Sequence, residues 1–373
     1  MNEASLPLTV AGAAPAPQVR SNDRSSLPGF PFHPSRRTWM ETSIPANSPE
    51  RRHDVNYAKW SYSHQTHKPD GGIPQRDATE THTMSLAILD QISLCGGGTN
   101  EDRIGISGEF AWVIDGATDV LDEPLTPAPT DADWLAGTLD AALHVYGAHP
   151  TCSFADLPGH LTDVAAQSFE AVARRQPEAR HEHPSASALV VRHAAGILSY
   201  WAVSDCTMIV APPGEDIMTL SGVAHEDAGD SRLRHAVRQQ QAETQIQAAA
   251  ERDPPELLDQ MRPLLQDMRA RMNREDGYGV LSITPTPEAF IRSGFITAPA
   301  GTELLLASDG FMRLVDVFQR HDAQTLLSAA REHGLKRLAE ELRAMETADR
   351  TGSAHPRVKS TDDASALLLR IAD

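Results

Sequence analysis

The sequence predicts an α+β fold with antiparallel sheets lying under helices, and three observations predict it. Short apolar runs bounded by glycine clusters have the look of buried strands. Other segments repeat apolar side chains every three or four residues behind Asp or Ser starts, as amphipathic helices do. Strands come in runs and helices in runs, rather than alternating one for one, which favours segregated layers over a parallel sheet. A chain of 373 residues makes one large domain with appendages or two ordinary ones.

Taken in order, residues 1–80 are rich in Pro, Ser, Asn, Arg and His and lack an apolar period. They are expected to form a largely disordered or loosely docked extension, pinned in places by Trp39 and Trp60. A single domain is expected over residues 81–373. SLAILDQISL (85–94) and FAWVIDG (110–116) read as strands that pair with each other across the CGGGTNEDRIGISGE connection. Residues 131–148 and 153–175 read as amphipathic helices. SALVVRHAAGILSYWAVSDCTMIVAPPG (187–214) reads as two or three antiparallel strands turning at Ala194-Ala195-Gly196. A helical insertion or flap is expected around 215–280, its Gln-rich part too poor in large apolar residues to be core. GYGVLSI, AFIRSGFI and TELLLASDG read as further strands, 323–349 as one helix or two, and SALLLRI as a final strand.

Composition narrows the function. Acidic residues outnumber basic ones by 51 to 33, a net charge of −18, which excludes a broad nucleic-acid face and suits bound cations. No apolar stretch approaches the length of a membrane span, and the N-terminus lacks the basic start and apolar segment of a secretory signal. Three cysteines (Cys95, Cys152, Cys206) cannot all pair within the chain, so a reducing cytoplasm is the expected location.

The chemistry-bearing residues are carboxylates at strand ends: Asp115 after AWVI, Asp309 after LLLAS, and the Asp362-Asp363 pair before ASALLLRI. A strand end is a rigid mount, and a following glycine lets the chain turn sharply and expose its carbonyl. Several aspartates and one carbonyl are the donors that hard cations such as magnesium and manganese prefer.

In order, NEDR (100–103), FAWVIDG (110–116), LLLASDGF (304–311) and TDDASALLL (361–369) resemble the motifs of metal-dependent serine/threonine phosphatases of the protein phosphatase 2C class. SASALVV followed by YWAVSDCTMIV is similar to that family's middle hairpin. The resemblance covers residues 85–373 and implies a four-layer sandwich, two antiparallel β-sheets flanked by α-helices. It also implies that Asp115 bridges two Mg2+ or Mn2+ ions with the carbonyl of Gly116 beside it, and that Asp309 and Asp362 complete the first site. Glu101 and Asp102 are implied at the second ion, and Asp205 at a third, weaker one. Asp363 reads as a neighbour that orders the loop. The implied reaction is attack of a metal-bridging hydroxide on a phosphoserine or phosphothreonine monoester.

Two family features are missing. Gly97 stands where an arginine often grips phosphate, and Ala117 where many members carry a histidine. Arg103 and Arg313 lie near the motifs, where a solvent-exposed or structural role is expected ahead of a phosphate contact. The implied partners are a phosphorylated protein or a small phosphorylated metabolite. A catalytically weak module that binds phosphorylated partners is the alternative of another class.

Overall fold

The computed structural model describes residues 85–223 and 254–372. The expected N-terminal extension, with Trp39 and Trp60, and the Gln-rich stretch lie outside the described residues. Among the described residues, no helix is long and apolar enough to cross a membrane.

Two antiparallel sheets form the centre. The first has the order β1–β11–β10–β6–β7, from strands β1 (Leu86–Leu94), β11 (Ala364–Ile371), β10 (Glu303–Ala307), β6 (Thr207–Ala211) and β7 (Met218–Ser221). The second has the order β2–β3–β4–β5–β9, from β2 (Asp102–Ser107), β3 (Phe110–Gly116), β4 (Ser185–Ala194), β5 (Ile197–Val203) and β9 (Arg292–Thr297), with β8 (Leu281–Ser282) also paired to β4. Helices α1 (Asp131–Ala148) and α2 (Leu157–Val172) cover the second sheet, and α4 (Asp309–Asp316), α5 (Ala323–His333) and α6 (Leu335–Ala348) cover the first. Helix α3 (Pro254–Arg269) belongs to the expected insertion.

Side-chain alternation builds the layers. Phe110, Trp112 and Ile114 of β3 point into the core shared with α1 and α2, while Ala111 and Val113 point between the sheets. In β11, Leu367, Leu369 and Ile371 meet the opposite sheet, while Ala364, Ala366 and Leu368 meet the helices α4 to α6. A strand buried on both faces needs apolar residues at successive positions, which explains its continuous apolar run. The four-layer α+β sandwich expected from the sequence is thus the observed architecture.

Several details differ from the sequence reading. β1 pairs with β11 rather than with β3, and β3 lies between β2 and β4. The supposed connection contains a strand of its own, β2, whose half-exposed side chains conceal it. β6 leaves the hairpin of β4 and β5 and joins the other sheet. Asp309-Gly310, read as a turn, opens helix α4. Residues 323–349 are two helices, α5 and α6, broken at Gly334, whose φ of 80° disfavours other residues.

Candidate metal centre

The carboxylates meet where the two sheets end together. Asp102 and Asp115 are cross-strand partners in β2 and β3, and Asp115 is in turn opposite Ser187 in β4. Asp309 is the first residue of α4, directly after β10, and Asp362 precedes β11. Ser308 ties the sheets together: its Oγ donates to Asp102 Oδ2 at 2.8 Å and accepts the Ser365 N–H at 3.0 Å. Asp363 holds the glycine-rich loop, accepting the Gly96 N–H at 2.7 Å and the Glu101 N–H at 2.6 Å.

Asp205 is placed by the small residues of β4. Ser187 Oγ accepts the N–H groups of Asp205 (3.0 Å) and Cys206 (2.7 Å) and donates to the Val203 carbonyl at 3.2 Å. The turn so formed leaves the Asp205 side chain exposed, within electrostatic reach of Asp115 and Asp309.

Close approach explains two glycines here. A Cβ on Gly96 would lie 2.1 Å from the Asp362 carbonyl carbon, and one on Gly310 would lie 1.9 Å from the Asp363 carbonyl oxygen. Gly97 is different, since none of the described residues lies within 4 Å of its would-be Cβ.

Burial and mutual repulsion set the titration of the acids. Burial pushes Asp102 up to about 8 against the bonds from Ser308 and Ser365, with Asp363 and Asp309 adding repulsion. One of its oxygens, Oδ1, is buried without a hydrogen-bond partner among the described residues. Asp115 is raised by burial and then by Asp102, Asp309, Asp205 and Asp362. Asp309 opens to solvent on one side, yet loss of water on the other, followed by Asp362 and Asp205, lifts it to about 7. Its carboxyl faces that of Asp115 within hydrogen-bonding reach. Glu101 accepts from Thr118 Oγ1 at 3.2 Å, and burial raises it to about 7 although Lys359 opposes the shift.

Asp362 behaves in the opposite way. Burial pushes it up, but Lys359 and Arg313 outweigh that and hold it below the usual carboxylate range. Lys359 Nζ lies 2.7 Å from its Oδ1, and Arg313 Nη2 lies 2.6 Å from its Oδ2. Arg313 also pairs with Glu346 at 2.9 Å, and Arg343 with Glu346 at 2.5 Å.

The structure therefore brings Asp102, Asp115, Asp309 and Asp205 to one acidic hollow, with Glu101 and Gly116 at its edge; the Gly116 N–H donates to the Glu101 carbonyl at 3.1 Å. Asp362 stands beside them already paired. Among the described residues, no three His, Cys, Asp or Glu side chains are drawn together as a finished metal cage. The donor set still suits a hard cation on the Asp102, Asp115 and Asp309 side, where a buried carboxylate oxygen lacks a partner and like charges crowd. Asp362, with both oxygens held by cationic side chains, does not fit a ligand role in this arrangement.

Sequence reasoning missed Lys359 and the Ser308 bridge. The only signal for Lys359 was a basic residue three positions before Asp362. Both arginines considered for phosphate are committed elsewhere: Arg313 as above, and Arg103 to Asp133 and to the carbonyls of Asn100 and Asp102. Arg269, at the end of α3, donates to the Thr118 carbonyl and stands within electrostatic reach of Asp119 and Glu101.

No family model and no curated protein matches the chain. Solved structures do. The serine/threonine phosphatase PstP/Ppp of Mycobacterium tuberculosis is 15% identical, with a TM-score of 0.47 over 77% of this chain and 99% of that one. The catalytic domain of the serine/threonine protein phosphatase PstP, in complex with two manganese ions, is 16% identical with a TM-score of 0.45 over 77% and 99%. Stp1 from Staphylococcus aureus is 12% identical with a TM-score of 0.44 over 81% and 100%. At scores and identities of this size, the fold and the residue roles rest on this chain's own geometry. Each of the three is described as a serine/threonine phosphatase.

Proposed function

We propose that this chain is a metal-dependent phosphatase of phosphoserine or phosphothreonine monoesters. The observation that carries the reading is the hollow itself, where carboxylates from both sheets converge with raised pKa values and an unpartnered buried oxygen on Asp102. Such a crowd is costly without a cation.

Asp115, Asp309 and Asp102 would hold magnesium or manganese, with the Gly116 carbonyl, Glu101 and Asp205 at the margin. When bound, the cation supplies Lewis acidity and a water of lowered pKa. Strand ends and the start of α4 keep the carboxylates from moving as charge develops, which is the preorganisation that lowers a barrier. Ser308 fixes the orientation of Asp102, and Asp363 fixes the loop that carries Glu101. Lys359 and Arg313 keep Asp362 ionised beside them.

The test is hydrolysis of phosphoserine and phosphothreonine peptides, and of small phosphate esters, with manganese added or chelated. Turnover of the peptides that needs manganese supports the reading. Faster turnover of small esters shifts the substrate to a metabolite. Tight phosphopeptide binding without turnover in any metal makes the chain a binding module instead.

A further inference from the structure

Lys359 lies where an acidic centre would otherwise accept a dissolved cation. Its ammonium is 2.7 Å from Asp362 Oδ1 and within electrostatic reach of Glu101 and Asp115, so its charge acts on both groups of acids while it contacts Asp362. It is carried by the loop between α6 and β11, and that loop is firmly held. Arg343 donates to the Asp362 carbonyl at 2.7 Å, the Asp363 N–H donates to Asp362 Oδ1 at 3.1 Å, and the Thr361 hydroxyl donates to the Gly96 carbonyl.

The two cations on Asp362 differ in kind. The Arg313 side chain is 8% exposed and also engages Glu346, whose side chain is fully buried, so it is a fixed part of the frame. The Lys359 side chain is 28% exposed and, among the described residues, has Asp362 as its one ion-pair partner. A lysine ammonium is a compact point charge on a flexible stem. It can neutralise a carboxylate as a bound ion does, but without vacant positions for water or phosphate.

We propose that Lys359 is a tethered cation standing in for a metal ion at Asp362, so that the wild-type centre takes one divalent ion, on the Asp115 and Asp309 side, and not two. This rests on the metal-dependent reading above and deepens it. To recruit Asp362, a second ion would have to displace the ammonium from Oδ1 and then sit next to it, and two like charges at such separations repel strongly. Asp115 and Asp309 present a smaller obstacle: their carboxyls lie within hydrogen-bonding reach of each other, and Lys359 and Arg313, which sit directly on Asp362, act on them only across a distance.

The experiment counts manganese on the full chain by equilibrium dialysis and records its electron paramagnetic resonance spectrum, for wild type, Lys359→Gln and Lys359→Arg. Wild type is expected to hold one ion per chain with the spectrum of an isolated Mn2+. Lys359→Gln is expected to hold two, with the spin-coupled signature of ions about 3.5 to 4 Å apart. Its second ion should bind on the order of a hundredfold more tightly than any second ion in wild type. Lys359→Arg keeps the charge and should behave as wild type. Two coupled ions in wild type overturn the proposal, and this result stands whether or not the glutamine variant folds. A folded Lys359→Gln that still binds one ion overturns it as well. Wild type that binds no manganese overturns the metal-dependent reading and the proposal together, which distinguishes that failure from the other two.

Discussion

Asp309 and Asp362 stand at the same end of one sheet, yet their surroundings drive them apart. Asp309 is raised to about 7, first by lost hydration and then by Asp362 and Asp205, whereas Lys359 and Arg313 hold Asp362 low. One side of the centre is therefore short of positive charge, and the other carries its own. The contrast shows that a carboxylate's position in a motif does not decide its charge state; the groups folded against it do.

The largest expected effect breaks the self-neutralised side. Arg313→Met strips a buried guanidinium from Glu346 and Asp362 and should cost about 3 to 5 kcal/mol of stability, a drop on the order of 10 °C in melting temperature with metal chelated. An unchanged melting temperature would mean that Lys359 and Arg343 suffice.

A matched pair of substitutions sharpens the comparison. Asp115→Asn should cut manganese-dependent turnover at least about a hundredfold while leaving the chelated melting temperature equal or higher, because it relieves repulsion. Asp362→Asn should lower that temperature, because it takes the carboxylate from Lys359 and leaves the buried Arg313 with Glu346 alone. Shifts of the same sign in both variants would refute the distinction.

Acidity reads the same contrast without a mutation. Asp102, Glu101 and Asp309 keep protons in the folded chain up to about pH 8, 7 and 7, whereas the unfolded chain releases them near 4. The folded state thus binds more protons in that window, and metal-free stability should fall as pH rises from about 4 to 8. Asp362 runs the other way, its contribution being lost only on acidification below the usual aspartate range. Thermal melts at stepped pH in chelator should show a decline on the order of 5 °C or more, and saturating manganese should flatten it. A rise over the same window would contradict the raised values.

The smallest effect belongs to the glycine loop. Gly97→Arg should leave melting temperature within about 2 °C, since its side-chain direction is open, whereas Gly96→Ala should lower it by more. If the new guanidinium reaches the hollow, the Michaelis constant should also fall by about tenfold or more. Loss of stability in Gly97→Arg comparable to that of Gly96→Ala would show the loop to be tighter than the structure has it.

The strands were legible because burial on both faces leaves long apolar runs, as in Ala364–Ile371 and Phe110–Gly116. β2 was not, because its side chains are only partly covered, and α4 was not, because Asp309-Gly310 also suits a turn. The acids of the centre could be named because a strand end followed by glycine is a local pattern. The partners that set their charge could not be, since Ser308 to Asp102 and Arg313 to Glu346 join residues far apart in sequence. Lys359 was close by, but its direction depends on how the loop before β11 folds back.

The pairing of β1 with β11 also has a meaning in time. Residues 86–94 find their ladder partners only at 364–371, and the bond from the Glu101 N–H to Asp363 spans 262 positions. During synthesis the early strand must wait with an open edge while the intervening chain emerges, and contacts of such range are slow to form. Asp362 and Asp363 arrive with the last described strand, so the hollow closes at the end of folding. A partly made chain has the acids of the first half but no centre, and a cation can reward folding only once the two ends have met.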